Sequence, residues 1–424
     1  MGSTGNIRWW VAGLLALATA LNYLDRQSFP VVVGEIKTTI PISDLQYGRL
    51  TSLFLLAYAI MYAGGGRIMD WLGTRLGYAV MIVWWSAANF CTGFVWSVTG
   101  LGIFRFLLGM GEGGGFPGSG KAVAEWFPPK ERAMAFGIFN TGSAIGAVAA
   151  PPLISWIVQA HGWRWVFFIT GAAGFIWAAI WLKFYQPPAK STFVSHAERE
   201  FIRASQASAC GPPSNASDLI PWFKLLGYRQ VLGLMAAKFL TDSAWYFFIF
   251  WLPKYLGDVR HLNIKQIGYF AWIPFAFGGL GSLSGGWLSS YLIRRNVGLD
   301  HARKIALGFS ALLLPASLFI VASPLSLAIV FFSLAMFAHQ FWSANVQTLP
   351  ADIFPSQVVG SVEGLLGSAG SFGGMLFGLL VGRLIGEHGY GPAFIIASVL
   401  HPIGFLIILF VVRKIEPVAR YERL

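Results

Sequence analysis

The segment Gly66-Arg67-Ile68-Met69-Asp70-Trp71-Leu72-Gly73-Thr74-Arg75 lies between two long apolar runs and decides the fold of this chain. Its glycines let helices approach closely, and Asp70 and Arg75 are spaced to pair across a tight turn. A related segment, Gly286-Trp287-Leu288-Ser289-Ser290, occupies the equivalent loop of the second half and is followed by Arg294-Arg295. Two such copies indicate an internal repeat, the usual construction of secondary transporters. Asp70 and Arg75 are thus candidate gating residues; the second copy lacks the carboxylate, so we expect charge to hold its gate less tightly.

Composition assigns the chain to the membrane proteins. Of its 424 residues 56% are hydrophobic and only 11% are charged, and the mean hydropathy is +0.62. Most of the chain must therefore lie out of water. The first apolar stretch runs from about Trp9 past Asp25 and is followed by many more, which predicts a retained first helix and not a signal peptide. Cys91 and Cys210 match no metal-ligand or disulfide pattern, so neither a metal site nor redox chemistry is expected.

Apolar runs long enough to cross a bilayer are separated by charged or Pro/Gly turns. They fall at about 8–34, 45–70, 77–97, 101–126, 132–158, 163–185, 229–256, 265–292, 303–321, 325–350, 358–385 and 392–413. We therefore predict an all-α membrane protein with twelve transmembrane helices in two six-helix halves, residues 1–185 and 229–424, joined by a cytoplasmic linker at 186–228. In the linker, Ser195-His196-Ala197-Glu198 predicts a capping box that opens a short surface helix.

The positions of the basic residues explain the net charge of +12. With both termini in the cytoplasm, 19 of the 30 Lys and Arg residues lie in cytoplasmic segments and 7 in external ones. The other 4, namely Arg26, Arg105, Lys121 and Lys238, lie inside spans. The positive-inside rule favours this orientation. We expect a multi-pass protein of the cell membrane with lipid as its surroundings, and the charge requires no nucleic-acid partner.

The twelve-span plan and the 66–75 segment resemble the major facilitator superfamily over the whole chain. Within it, several motifs resemble the anion:cation symporter family: Tyr23-Leu24-Asp25-Arg26, residues 109–117 and 125–132, Gly142-Ser143-Ala144-Ile145-Gly146, Ala150-Pro151-Pro152, and Phe184-Tyr185-Gln186-Pro187-Pro188. Others are most similar to the hexuronate transporters of that family: residues 74–78, residues 238–245, and Phe337-Ala338-His339-Gln340. The resemblance implies uptake of a sugar acid together with protons.

Asp25 and Arg26 lie side by side deep in the first span. Ionisable groups at such depth face the protein interior or an aqueous cavity and indicate a functional site. Glu112 lies at a depth comparable to that of Asp25, so both carboxylates could face one central cavity, and Arg105 lies two helical turns before Glu112 on the same face. The resemblance implies that Asp25 and Glu112 carry protons, with Arg105 as a switching partner. The alternative is that Asp25 and Arg26 merely neutralise each other, which is awkward for neighbours that point about 100° apart.

Arg26 is the natural receptor for a substrate carboxylate, because a guanidinium is a planar, two-pronged donor that stays charged when dehydrated. The resemblance implies further substrate contacts for four residues of the first half: Tyr23, Tyr58, Asn140 and Ser143. Comparable positions of the second half are Lys238, Trp342, Ser343, Asn345 and Ser368. Trp and Tyr are also common as interface anchors, which leaves both interpretations open for each aromatic residue.

Lys238 and Asp242 lie four residues apart on one face of the seventh span. They form either a structural ion pair or part of the substrate site, in which Lys238 touches the substrate and Asp242 orients it. His339 is a weaker candidate, because a lone histidine is more often satisfied structurally.

The stretch Gly109-Met110-Gly111-Glu112-Gly113-Gly114 formally fits a dinucleotide-binding fingerprint, but no βαβ unit surrounds it. Close helix packing explains these glycines better.

These features predict a proton-coupled symporter that imports a sugar acid, most simply a hexuronate such as galacturonate or glucuronate, by alternating access. The alternatives are a carrier of another organic anion, such as an aldonate or aldarate, or a membrane sensor that binds sugar acids without transporting them. A membrane enzyme would need a catalytic cluster near the interface, and none is recognisable. We expect a monomer whose coupling ion is the proton and which needs no other cofactor.

Overall fold

The computed structural model describes residues 6–209, 222–354 and 356–417. Cys210 and residues 211–221 of the linker lie outside these ranges. The helices are α1 (Ile7–Ile36), α2 (Asp44–Thr92), α3 (Val98–Gly113), α4 (Gly115–Trp126), α5 (Pro129–His161), α6 (Trp163–Phe184), α7 (His196–Ala209), α8 (Trp222–Leu225), α9 (Arg229–Asp258), α10 (Ile264–Phe270), α11 (Trp272–Arg294), α12 (Leu299–Leu313), α13 (Leu325–Val346), α14 (Leu349–Ile353), α15 (Ser356–His388) and α16 (Gly391–Ile407). A 3₁₀ turn, Leu314–Phe319, extends α12, and a π turn, Ile408–Val412, extends α16.

The helices follow the predicted spans and confirm the all-helical class. α2 contains the second and third spans, which meet at Gly73, where a φ of 75° requires a residue without a side chain. The fourth span is divided at Gly114 into α3 and α4. In the described part of the chain, nine helices are long and apolar enough to cross a membrane. The count of twelve spans remains a prediction.

The two halves share a packing pattern based on glycine. α1 packs against α5 and α9 against α15, while α2 packs against α3 and α11 against α13. A Cβ at Gly142 of α5 would lie 2.0 Å from the Ala16 carbonyl oxygen, and one at Gly373 of α15 would lie 2.1 Å from that of Phe239. Glycine is required at these crossings because any side chain would force the helices apart.

The first linker helix, α7, docks onto the start of α1. Ser195 Oγ accepts the backbone N–H of Glu198 at 3.1 Å, which is one of the two bonds of the predicted capping box. The Glu198 side chain is fully buried, however, and accepts the backbone N–H groups of Ile7 and Arg8 and the Arg8 guanidinium at 3.0 Å. The expected surface helix is therefore anchored through a buried carboxylate, because Glu198 satisfies free N–H groups of α1.

The two halves contact each other at the end of the bundle that lies opposite the linker. α1 begins beside the linker helix and is 30 residues long, about 45 Å, so its far end and the start of α2 lie at this distal end. Between α2 and α15, Ser52 Oγ donates to the Met375 carbonyl at 2.8 Å and Ser368 Oγ to the Ala59 carbonyl at 3.0 Å. The halves thus contact each other from the distal end to about the middle of the bundle.

Candidate functional site

Arg26 and Glu112 form a buried ion pair between α1 and α3. Arg26 Nε and Nη2 both donate to Glu112 Oε2, at 3.1 and 3.0 Å, and Nη2 also donates to Asn22 Oδ1 at 3.2 Å. The Arg26 guanidinium lies 4.9 Å from the ring centre of Tyr23 and 4.7 Å from that of Tyr58. These aromatic neighbours hold the guanidinium in place and exclude water from it.

Three of the residues predicted to contact the substrate thus lie together, namely Arg26, Tyr23 and Tyr58. Glu112 Oε1 has no hydrogen-bond partner, although Glu112 is fully buried. Protonating Glu112 would weaken its hold on Arg26 and leave the guanidinium free to bind another carboxylate. An anion that bound Arg26 would compete with Glu112 for the same donors.

Asp25 lies on a different side of α1 from Arg26. Its Oδ1 accepts Asn89 Nδ2 at 2.7 Å, and the same Asn89 nitrogen donates to Thr170 Oγ1 at 2.7 Å. Asp25 is fully buried, and its Oδ2 has no hydrogen-bond partner. Asp25 and Glu112 interact electrostatically, although Asp25 bonds Asn89 and not Arg26, its neighbour on the helix. That both carboxylates face one cavity stays a prediction.

Arg105 is 1% exposed, and none of its three guanidinium nitrogens has a hydrogen-bond partner. The guanidinium lies 5.0 Å from the ring centre of Phe29 and 4.8 Å from that of Phe54. It does not bond Glu112 in this conformation, although the two charges interact at longer range. A buried cation without a hydrogen bond is costly, which favours its pairing in another state of the protein.

Lys238 and Asp242 form the predicted pair on α9, with Nζ 3.0 Å from Oδ2. Their side chains are only 10% and 14% exposed. Tyr58 interacts electrostatically with both Arg26 of the first half and Lys238 of the second.

A third charged residue of the second half, Glu363 on α15, was missed in the sequence. It interacts electrostatically with Lys238 and Asp242. Its signal was present, since Glu363 is an isolated carboxylate in the apolar run at 358–385, the same criterion that identified Glu112.

His339 belongs to a buried aromatic cluster. Its Nδ1 lies 3.1 Å from His401 Nε2, and its ring stacks on that of Trp245 with centres 4.7 Å apart. Trp342 packs edge-on against His401, with its Nε1 unpaired. His339 is thus satisfied within the protein, which agrees with the structural interpretation.

The remaining polar candidates form hydrogen bonds within the protein, and their contact with the substrate stays a prediction. Asn345 is fully buried, and its amide donates to the carbonyls of Gly285 and Phe341, so it joins α11 to α13. Ser368 is engaged in the contact with α2 described above. Asn140 and Ser143 on α5 are joined by a bond from Ser143 Oγ to the Asn140 carbonyl at 2.7 Å, and Ser343 accepts Gln347 Nε2 at 3.0 Å.

The predicted gating pair does not form in this conformation. Asp70 pairs with Lys121 of α4 at 2.7 Å, and Arg75 donates to the Leu182 carbonyl of α6. The fold supplies these partners from helices that are distant in the sequence. In the second copy of the segment, Arg303 binds Ser289 at 2.9 Å and pairs with Asp352 at 2.9 Å. An ion pair from α12 and α14 thus lies beside Ser289, although the segment itself carries no carboxylate. The expectation that charge holds this gate less tightly stays a prediction.

A charge cluster at the distal end was also missed; we call it the distal latch. It consists of Lys37, Asp44, Lys254 and Asp258. Lys254 of α9 reaches Asp44 of α2 at 2.5 Å and also pairs with Asp258, while Lys37 lies 3.7 Å from Asp258. The Lys254 side chain is only 1% exposed. The latch joins the two halves by charge where they are closed.

The glycines at 109–114 serve helix packing. A Cβ at Gly109 would lie 2.2 Å from the Phe54 carbonyl oxygen, and one at Gly111 would lie 2.6 Å from Trp85 Cβ. The packing interpretation of this stretch agrees with the structure.

Residues 15–338 match the family described as the Major Facilitator Superfamily. The chain is 35% identical over 411 residues to the hexuronate transporter of Escherichia coli strain K12, with 96% of this chain and 94% of that protein covered. It is 36% identical over 323 residues to the galacturonate transporter of Dickeya chrysanthemi, with 75% and 92% covered. The resemblance to hexuronate carriers is therefore confirmed.

A solved structure has the same fold. It is the inward-facing, occupied form of a bacterial homolog of the human lysosomal transporter Spinster, with a TM-score of 0.74 and 20% identity. The alignment covers 96% of this chain and 97% of that one. The chain belongs to the Major Facilitator Superfamily, and it is a membrane transporter and not an enzyme.

Proposed function

We propose that this transporter is a proton-coupled symporter for a hexuronate such as galacturonate or glucuronate. The main observation behind this proposal is the ion pair in which the Glu112 carboxylate takes up the hydrogen-bond donors of Arg26. A sugar acid can take the place of the Glu112 carboxylate once Glu112 is protonated. Proton and anion binding then favour each other, which is the thermodynamic requirement for symport. The printed functions of the two relatives support a hexuronate as the anion.

The proposed cycle begins with the site open to the outside. Protons bind Glu112 and Asp25, Arg26 takes the substrate carboxylate, and the halves rock until the site opens to the cytoplasm. If both termini are cytoplasmic, the distal end is external, and the closed latch corresponds to an inward-open state. We propose further that it works as a monomer, with the proton as coupling ion and no other cofactor.

Proteoliposomes with an inward proton gradient test the proposal. Labelled galacturonate and glucuronate should accumulate only with the gradient, and unlabelled hexuronates should compete while galactonate and glucarate should not. Competition by galactonate or glucarate alone would assign a different sugar acid. Binding without any uptake would instead identify a sensor and overturn the proposal.

A further inference from the structure

We propose that Glu363 is a second coupling carboxylate, which must take up a proton before the substrate can approach Lys238. This inference rests on the proposed function and adds a proton to it in the second half of the molecule. It depends on where Glu363 lies, on the charge of its neighbours and on the closure of the two halves.

Glu363 lies where α15 meets helices from both halves. A Cβ at Gly370 of α15 would lie 2.1 Å from Asp242 Oδ2, and one at Gly367 would lie 2.3 Å from the Tyr62 ring. Glu363 precedes Gly367 by one helical turn and Gly370 by two, so it shares their face. This face is directed toward α9 of the second half and α2 of the first.

Glu363 also lies where the contact between the halves ends. Two hydrogen bonds between α2 and α15 are named above. The one from Ser368 to the Ala59 carbonyl lies farther from the distal end. Glu363 comes five residues before Ser368, on the side of the linker. It is only partly buried, although it lies within an apolar span. A carboxylate at this place can meet the substrate path when the halves separate.

The charges around Glu363 do not balance. The charged and titratable groups that interact with it are Lys238 and Asp242 of α9 and Tyr62 of α2. Lys238 is already paired with Asp242 at 3.0 Å. With both carboxylates ionised, one lysine faces two negative charges.

An anionic substrate makes this imbalance worse. Arg26 can neutralise the substrate carboxylate only after releasing Glu112, and Tyr58 interacts with both Arg26 and Lys238. A net negative cluster close by would repel the sugar acid, since charges in a poorly hydrated site are weakly screened. A proton on Glu363 leaves the neutral Lys238–Asp242 pair and removes the repulsion. That proton crosses the membrane with the substrate and leaves when the emptied site opens to the other side.

The variant Glu363→Gln tests the inference, with Glu387→Gln as the matched control at an exposed position of the same helix. In proteoliposomes, the number of protons and the net charge moved per hexuronate should each fall by one in Glu363→Gln. The maximal accumulation should then fall about tenfold for each unit of the imposed pH gradient. Glu387→Gln should match the wild type.

Binding provides a second measurement if Glu363→Gln does not transport. Affinity of the purified protein for galacturonate should decline less steeply with rising pH in Glu363→Gln than in the wild type. Wild-type stoichiometry, or a wild-type pH profile of binding in a variant that does not transport, would overturn the inference and leave the proposed function intact. If uptake by the wild-type protein did not depend on the proton gradient, the proposed function itself would be overturned.

Discussion

Two donors of Arg26 bind a single oxygen of Glu112, while the other oxygen of that carboxylate has no partner. The pair joins residues 86 positions apart, and both are almost fully buried. A buried pair is retained only where its partners compensate for lost hydration. Glu112 therefore keeps the Arg26 guanidinium charged and oriented while no anion is bound.

Glu112→Gln should uncouple transport from the proton gradient. The amide resembles a protonated carboxyl group and cannot be ionised, so Arg26 stays available to the substrate. We expect exchange of labelled for unlabelled hexuronate to persist while accumulation against a gradient is lost. Glu200→Gln, at an exposed site on α7, should accumulate normally. Loss of exchange as well would count against a coupling role for Glu112.

Arg26→Lys should weaken substrate binding even though the positive charge remains. An ammonium cannot present two parallel donors to a carboxylate. Losing a charged hydrogen bond costs roughly 1.5–3 kcal/mol, or about a tenfold to hundredfold loss in affinity. Half-saturation of exchange measures the change, with Arg49→Lys, an exposed position near the distal end, as the control. Equal half-saturation in the two variants would show that Arg26 does not hold the substrate.

Asn89→Ala should destabilise the protein by more than the small volume that it removes would suggest. Asn89 donates to both Asp25 and Thr170, so its removal takes one donor from each of two buried polar groups. We expect a loss of about 1–3 kcal/mol, measured as a lower melting temperature in detergent. Asn140→Ala removes an amide at an exposed position and should leave the melting temperature almost unchanged. Equal melting temperatures would mean that water replaces the Asn89 contacts.

Lys254→Ala should shift the population toward states that are open at the distal end. Breaking a buried ion pair costs roughly 3–5 kcal/mol, and this pair exists only when the halves are closed there. The readout is labelling of Ser52→Cys by an impermeant thiol reagent in a background without Cys91 and Cys210, because Ser52 lies between α2 and α15. Labelling should become severalfold faster.

Lys304→Ala serves as the control for this measurement, since Lys304 pairs with Asp300 within the second half. Unchanged labelling in Lys254→Ala would show that the latch does not determine closure.

Gly109→Ala should disrupt the packing of α3 on α2, because its methyl group would meet the Phe54 carbonyl oxygen. Gly137→Ala on α5 meets nothing within 4 Å and is the matched control. A lower melting temperature and lower yield are expected for Gly109→Ala alone. If both variants behaved like the wild type, the packing role of this glycine would be wrong.

Hydropathy was sufficient to place the helices, because the need to satisfy backbone groups in lipid leaves few alternatives to a helix of spanning length. The pair of Arg26 and Glu112 was also accessible, since both stood out as charges at similar depth. The direction in which a side chain points around its helix axis was harder to infer. Asp25 was recognised as a buried carboxylate, but its bond to Asn89 was not expected, because nothing in the sequence distinguishes this neutral residue.

The partners of Asp70 and Lys254 could not be predicted from the sequence for a related reason. Lys121 and Asp44 lie 51 and 210 residues away from them, so only the tertiary fold brings these groups together. Glu363 is different, since its position in an apolar run was visible and the criterion applied to Glu112 would have included it.

The contact of α2 with α15 near the distal end has a practical consequence. A Cβ at Gly48 would lie 2.7 Å from the Gly378 carbonyl oxygen, and one at Gly382 would lie 2.9 Å from that of Asp44. Backbone meets backbone here, so no side chain can turn aside to make room. A leucine at Gly48 would act as a wedge that disfavours this closed arrangement, and such a variant could hold the transporter in the opposite conformation for crystallography or antibody selection.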